Sequence, residues 1–320
     1  MDITLHTAAQ RLLDADHILI LSHCSPDGDT LGCASALLRG LHSLGKKARF
    51  LCSDPVPKKF AFLFEGVEEQ DFEPEFIVSV DIADRQLFGK NLEGYTEKVD
   101  LCLDHHGTNG DFAKERYVEP KAAAACEVLF LLLKEMQVEI SPEIADCLFT
   151  GISTDTGCFR FGNVTPRTHR MGAELMELGA HAAEINREMF DTKSRGRLEV
   201  EKYVLQSMTF HFDGKCAVLC LPASLVEELS VEEGDLDGVA SMSRQVEGVM
   251  VGVTIREKED GMLKVSLRTN PPVNAAEICA EFGGGGHAAA AGCSFTGKTF
   301  DEVKALLLEA IKKQMERCGL

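Results

Sequence analysis

Three short apolar runs constrain this chain more than any other feature. HILILSH (17–23), FIVSVD (76–81) and KVDLCLDHH (98–106) each end in acidic or histidine residues. Apolar runs this short, rich in β-branched residues, are the pattern of buried strands. ARFLCS (48–53) reads as a further strand. Helical patterns separate them: TLGCASALLRGLHSLG (30–45), with Gly45 at its end, and ACEVLFLLLKEM (125–136). PEIADCLFTGISTDTGCF (142–159) runs from helix into a polar loop. Strands alternating with helices imply an α/β fold, a mainly parallel sheet with helices on both faces. Ligands of such sheets sit beyond the carboxyl ends of the strands. His23, Asp27, Asp29, Asp81, Asp104, His105 and His106 all fall there.

From about 167 to 209 helix formers dominate, and then the pattern changes. FHFDGKCAVLCLP, EGVMVGVTIREKEDGMLKVSLRT and GCSFTG read as strands and a hairpin, with DG turns at 213–214 and 260–261. Helices are expected around 222–230, 274–281 and 299–316. The expected organisation is a metal-binding catalytic domain over 1–185, a helical connector over 186–208 that serves as a hinge, and a smaller α/β substrate-binding domain over 209–320.

The formal net charge of -18 argues against a long nucleic-acid duplex as ligand, because binding to such polymers rests on Lys and Arg meeting phosphates. A small phosphate-bearing ligand stays compatible, since a bound cation supplies positive charge locally. Twelve Cys without a CxxC pair read as buried free thiols in a reducing cytoplasm. No segment approaches the ~20 apolar residues of a membrane span, and the N-terminus does not read as a signal peptide.

Within SHCSPDGD (22–29), Asp27 and Asp29 flank Gly28, so a tight turn could aim both carboxylates into one pocket. The alternative is that Asp29 merely caps a helix starting near Thr30. With VDIAD (80–84), LDHHGT (103–108) and STDTG (153–157), at least five Asp and two to three His collect at one sheet edge. Uncompensated, such a cluster repels itself. Divalent cations explain it, and one is too few for that many carboxylates. Imidazole plus carboxylate ligands without a thiolate favour Mn²⁺ over Zn²⁺ or Mg²⁺.

The order HxxPDGD (His23–Asp29), VDxxD (Val80–Asp84), DHH (Asp104–His106) and TDTGxFR (Thr154–Arg160), then GGGGHxxAAG (Gly283–Gly292), resembles the DHH phosphoesterase family with its C-terminal DHHA1 domain. The match spans nearly the whole chain. Its layout is most similar to the branch that degrades short oligonucleotides (nanoRNA) and dephosphorylates pAp. The resemblance implies one metal held by His23, Asp27 and Asp81, and a second by Asp29, Asp81, His105 and Asp155. Asp81 would bridge them, Asp104 would orient His105, and His106 would face the substrate phosphate or protonate the leaving group. It implies Mn²⁺, with Mg²⁺ or Co²⁺ as alternatives. Substrate contacts would come from Arg160, Arg268, Gly284, Gly285, Gly286 and His287, the glycines offering backbone N–H groups and HAAAAG starting a helical turn whose N-terminus favours an anion.

The expected enzyme is a cytoplasmic metal-dependent phosphodiesterase and phosphatase acting on short oligonucleotides or small nucleotides, in a cleft between its two domains. Three other readings stay open: a soluble phosphodiesterase for linear or cyclic dinucleotides, a manganese inorganic pyrophosphatase, and a nucleotide-binding protein without catalysis. Whether the chain forms a homodimer is not legible.

Overall fold

A computed structural model describes residues 1–229, 231, 233–236, 238–258 and 260–320. The chain divides into two compact units, Met1–Thr192 and Lys193–Leu320. Ser230, at the end of the expected 222–230 helix, and Glu259, in the expected hairpin, lie outside the described residues.

In the first unit the elements follow as α1 (Leu5–Asp14), β1 (Ile18–Leu21), α2 (Gly28–Ser43), β2 (Ala48–Leu51), β3 (Phe76–Val80), β4 (Leu101–Asp104), β5 (Glu115–Val118), α3 (Ala125–Glu135), α4 (Pro142–Asp155), α5 (Pro166–Glu177) and α6 (Ala182–Asn186). The five strands are parallel throughout, in the order β2-β1-β3-β4-β5. The order reverses between β1 and β3, and at such a switch point a crevice opens beyond the strand ends.

Side chains alternate across each strand. Ile18 and Ile20 face a core shared with Leu12 of α1, Leu37 of α2, Leu129 of α3 and Leu148 of α4. Leu19 and Leu21 face the other way, onto Ile77, Phe88, Leu92, Val99 and Phe112. Helices flank the sheet as expected, and they are short on that second face. Its cover is the segment between β3 and β5, with only short 3₁₀ turns at Arg85–Phe88 and Lys90–Tyr95. Gly89, at φ 70°, separates these turns, and glycine at a positive φ ends a helix rather than continuing it.

Helices α2 and α4 approach closely. A Cβ on Gly28 would collide with Thr154, and one on Gly151 would lie 2.7 Å from Asp29 Oδ1. The small residues of this seam set the distance between two motifs far apart in sequence.

The second unit contains α7 (Arg195–Ser207), β6 (Thr209–His211), β7 (Cys216–Leu221), α8 (Ser224–Glu228), α9 (Val239–Met242), β8 (Val251–Glu257), β9 (Leu263–Thr269), α10 (Ala275–Ala280), β10 (Gly285–His287), β11 (Ala290–Phe295) and α11 (Phe300–Arg317). Its mixed sheet has the order β10-β11-β9-β8-β7-β6, with β7 and β8 paired in parallel and its other neighbouring strands antiparallel among the described residues. Val253, Val265 and Leu267 bury one face with Ile278 of α10 and with Leu307 and Ile311 of α11. Val200 and Val204 of α7 pack with Leu219 and Leu221 of β7, so α7, read from sequence as connector, is part of this unit's own core.

Candidate metal centre

Each side chain at the carboxyl end of the first sheet is aimed by local backbone chemistry. Asp27 is the N-cap of α2, and its Oδ1 accepts from the N–H groups of Asp29 (3.0 Å) and Thr30 (3.1 Å). The helix therefore starts at Gly28, and Asp29 is released from the capping role the sequence left open for it. Asp29 turns inward, 1% exposed. Its Oδ2 accepts from Ala125 N at 2.6 Å and its Oδ1 from Cys126 N at 2.9 Å. These are the first N–H groups of α3, where a helix dipole favours an anion.

Asp81 follows β3 at φ 56°, a left-handed conformation that Asp tolerates better than most residues. It is the centre of the group. Its Oδ2 lies 3.6 Å from His23 Nε2, and its Oδ1 lies 3.7 Å from His105 Nε2 and 3.6 Å from His106 Nδ1. His23 Nε2 is also 3.6 Å from Asp27 Oδ1. His105 Nε2 is 3.9 Å from both Asp29 Oδ2 and Asp155 Oδ2. Asp155 is the last residue of α4, not part of the loop after it.

Two ligand sets result. His23, Asp27 and Asp81 place donor atoms within 4.8 Å of one another, as do Asp29, His105 and Asp155. Asp81 touches both sets. Its Oδ1 is buried without a hydrogen-bond partner, which costs about 1–3 kcal/mol for a neutral acceptor and more for a charged one. A cation between Asp81, His23 and His105 would remove that cost. The donor atoms, imidazole nitrogen and carboxylate oxygen, fit a divalent ion.

The proton affinities point the same way. Burial, with Asp29 next, pushes the Asp81 carboxyl well above the usual range, and the same two causes raise Asp155. Burial works against a charged His23, yet Asp27 and Asp81 outweigh it and raise the ring to about 11. Metal ions displace protons from such ligands.

The two histidines after β4 are oriented differently. His105 Nδ1 faces the carbonyl of Ala122 at 3.1 Å, which turns Nε2 into the cluster. Asp104, expected to orient His105 through its ring, instead holds His106: its Oδ1 lies 2.8 Å from His106 Nδ1 and accepts from the backbone N–H of His105 at 2.7 Å. The reason is reach, since the Ala122 carbonyl already occupies His105 Nδ1. Hydrogen bonding to Asp104 raises His106 to about 9, and its side chain is 44% exposed.

Two asparagines complete the frame and were not singled out from sequence. Asn109 Nδ2 donates to Asp104 Oδ2 (2.6 Å) and to the Ile82 carbonyl (3.0 Å). Asn163 Nδ2 donates to the carbonyls of Ala123 (2.9 Å) and Asp155 (3.2 Å). Their position a few residues beyond DHH and TDTG was the available signal.

Arg160 is exposed, on the loop beyond Asp155, and its Nε donates to the Gly157 carbonyl at 2.5 Å. The other sequence candidates belong to the second unit. Arg268 lies on β9, half-buried, and donates to the Leu267 carbonyl at 3.0 Å. Burial, with Arg244 next, lowers its pKa. Lys264, Ser266 and Arg268 line a cleft of ≈ 650 Å³ with Gly283, Gly284, Gly285 and Gly286. The expected helical turn over HAAAAG is absent. Gly285–His287 and Ala290–Phe295 form an antiparallel hairpin, its turn pinned by bonds from Thr269 Oγ1 and Ala275 N to the Ala288 carbonyl, both 2.7 Å. Alanine favours a helix, but pairing of Ala290–Phe295 with β9 overrides that preference, and the bare backbone before it fits the hairpin: a Cβ on Gly286 would lie 2.6 Å from the Ala290 carbonyl. His287 is exposed at the end of β10.

The chain joins a parallel sheet, with an acid and histidine cluster at its switch point, to a glycine-rich hairpin domain. The DHH family N-terminal domain matches residues 17–152 and the DHHA1 domain matches residues 213–317, and the chain belongs to this DHH–DHHA1 family. A relative from Thermus thermophilus, the bifunctional oligoribonuclease and PAP phosphatase NrnA, is 37% identical over 309 residues, covering 94% of this chain and 91% of its own. The crystal structure of an exopolyphosphatase-related protein from Bacteroides fragilis matches with a TM-score of 0.84 at 25% identity, covering 97% of this chain and 95% of its own. Exonuclease RecJ bound to manganese shares the fold, with a TM-score of 0.57 at 16% identity over 96% of this chain and 94% of its own. Among the described residues no helix is long and apolar enough to cross a membrane.

Proposed function

We propose that the protein hydrolyses short oligonucleotides to nucleoside monophosphates and pAp to AMP, with two divalent ions, Mn²⁺ by preference. The observation that carries this reading is the convergence of His23 Nε2 and His105 Nε2 on the two oxygens of one buried carboxylate, Asp81, at 3.6 and 3.7 Å. Identity of 37% to a relative named for both activities supports the substrate class.

His23, Asp27 and Asp81 would hold one ion, and Asp29, Asp81, His105 and Asp155 the other. Bound, the pair would supply Lewis acidity and a nucleophile from water at neutral pH. The protein's own residues do the rest. Asp104 fixes His106 through Nδ1, which leaves Nε2 to donate a proton to the leaving oxygen. Arg160 and Arg268 offer planar forks for non-scissile phosphates, and Gly284, Gly285, Gly286 and His287 offer backbone and ring donors. Twelve unpaired thiols support a reducing cytoplasm as the setting.

The test is product analysis with Mn²⁺ on end-labelled RNA of two, five and twenty-four nucleotides and on pAp, beside Asp81→Ala. Loss of the dinucleotide and pAp, survival of the twenty-four-mer and a dead variant are expected. Rapid loss of the long RNA points to a processive exonuclease, and cleavage of pyrophosphate alone points to a pyrophosphatase.

A further inference from the structure

The loop leaving Asp155 is built with more care than a connection needs. Gly157, Cys158 and Phe159 have φ of 56°, 60° and 58°, a run of left-handed residues that Cys and Phe adopt only when their surroundings force them. The forces are visible. Cys158 N donates to the Ser153 carbonyl at 2.7 Å, and Arg160 N and Phe161 N both donate to the Thr156 carbonyl, at 2.9 and 3.0 Å. Phe159 N donates to Thr156 Oγ1 at 3.1 Å. The Phe159 ring is anchored by His169, stacked at 5.4 Å, and by Phe149 at 5.8 Å. Asn163 ties the far end back to the Asp155 carbonyl.

All this rigidity presents one side chain that packing does not explain. Phe161 is 56% exposed. One face of its ring lies over Gly157, where a Cβ would collide with Cζ, Cε1 and Cε2. With that face covered, the opposite face and the rim make up the exposed part of the ring. Gly157 is two residues beyond Asp155, and two residues span at most about 7 Å. An exposed aromatic face therefore stands close to Asp155 and the candidate metal centre.

We propose that Phe161 is a specificity-determining residue, the platform on which a nucleobase of the substrate stacks when the adjacent phosphate lies at the metal centre. The inference rests on the nucleotide-hydrolase reading above. Stacking is available to every base because each has a π-face, so Phe161 selects for a base without choosing among bases. A nucleotide is then distinguished from a bare phosphate ester or pyrophosphate by the ring, and the metal ligands need not contribute to that choice.

The experiment is steady-state kinetics with Mn²⁺ on diadenylate and on two analogues, each lacking one of the two bases, for the wild type, Phe161→Ala, Phe161→Leu and Phe161→Trp. Base–aromatic stacking predicts that Phe161→Ala and Phe161→Leu raise KM on diadenylate about tenfold with kcat within about twofold, and that Phe161→Trp retains the wild-type KM. On the analogue lacking the stacked base, all four proteins converge. An equal loss on all three substrates, a fall in kcat at unchanged KM, or full activity of Phe161→Leu overturns the platform. A wild type that cleaves none of the nucleotides instead overturns the functional reading, which separates the two failures. Thermal melting and Mn²⁺ titration of each variant are expected to match the wild type, and a variant that melts early or loses Mn²⁺ marks Phe161 as structural and also overturns the platform.

Discussion

The two units build their candidate sites by opposite means. In the first, side chains do the work: Asp29, Asp81 and Asp104 are 1%, 3% and 0% exposed, and backbone N–H groups, a carbonyl and an asparagine hold them and their histidines. In the second, the cleft is made by side chains that are missing. Gly283–Gly286 expose their backbone beside Lys264, Ser266 and Arg268. A crowded, over-determined cluster suits groups that must be placed to within fractions of an ångström for chemistry. Bare backbone beside an arginine suits an anion that needs only to be held. On the proposed function, the contrast predicts that changes in the metal cluster of the first unit act on kcat and changes in the glycine-lined cleft of the second act on KM.

The largest test of that division is Asp81→Asn. One amide in place of the shared carboxylate removes the charge on which both ligand sets depend. The expected result is a loss of kcat of roughly a thousandfold or more, since such centres supply several kcal/mol, with Mn²⁺ affinity by calorimetry falling in parallel. Full activity would remove Asp81 from the centre. Asp104→Asn comes next. It keeps the shape but breaks the charge on His106, and supporting residues of this kind cost about 10–100-fold. The loss should appear in kcat and steepen with leaving groups that need a proton; an effect confined to KM would contradict the role given to His106.

Arg268→Ala probes the other unit. Losing one charge-assisted hydrogen bond, worth about 1.5–3 kcal/mol, should raise KM by roughly tenfold or more and leave kcat and Mn²⁺ binding intact. A variant that lost kcat instead would erase the distinction between the units. The smallest effect is a pair of histidine titrations followed by NMR. In the first unit His181 is raised by its hydrogen bond to Asp146. In the second, His211 is lowered by burial and then Lys304. The signs differ. The His181–Asp146 contribution to stability is fully present below the ordinary histidine pKa and fades as pH rises through the raised one. The His211 contribution is present above the ordinary value and is lost as pH falls through the lowered one. Midpoints on opposite sides of the model histidine are expected, and Asp146→Asn should move only the first.

How much of this was legible follows from where information sits. The strands of the first sheet and the residues at their carboxyl ends could be read because burial on both faces leaves an apolar run, and the chain must turn polar where the run meets solvent. Asp27, Asp29, Asp81 and His105 are therefore visible as types at strand ends. The second unit's hairpin was harder. GGGGHAAAAG contains no alternation to mark a strand, and only pairing with Arg268, Leu267 and Ser266 across the sheet makes it one.

What the amino-acid order determined by itself is the set of chemical groups and the strand ends that carry them, since both follow from local pattern. What only the tertiary structure decided is which atom each group faces. The Ala122 carbonyl on His105 and the α3 N–H groups on Asp29 join segments 17 to 97 residues apart, and the exposed ring of Phe161 follows a backbone conformation that local preference opposes. Such contacts are through space, and no local rule of spacing records them.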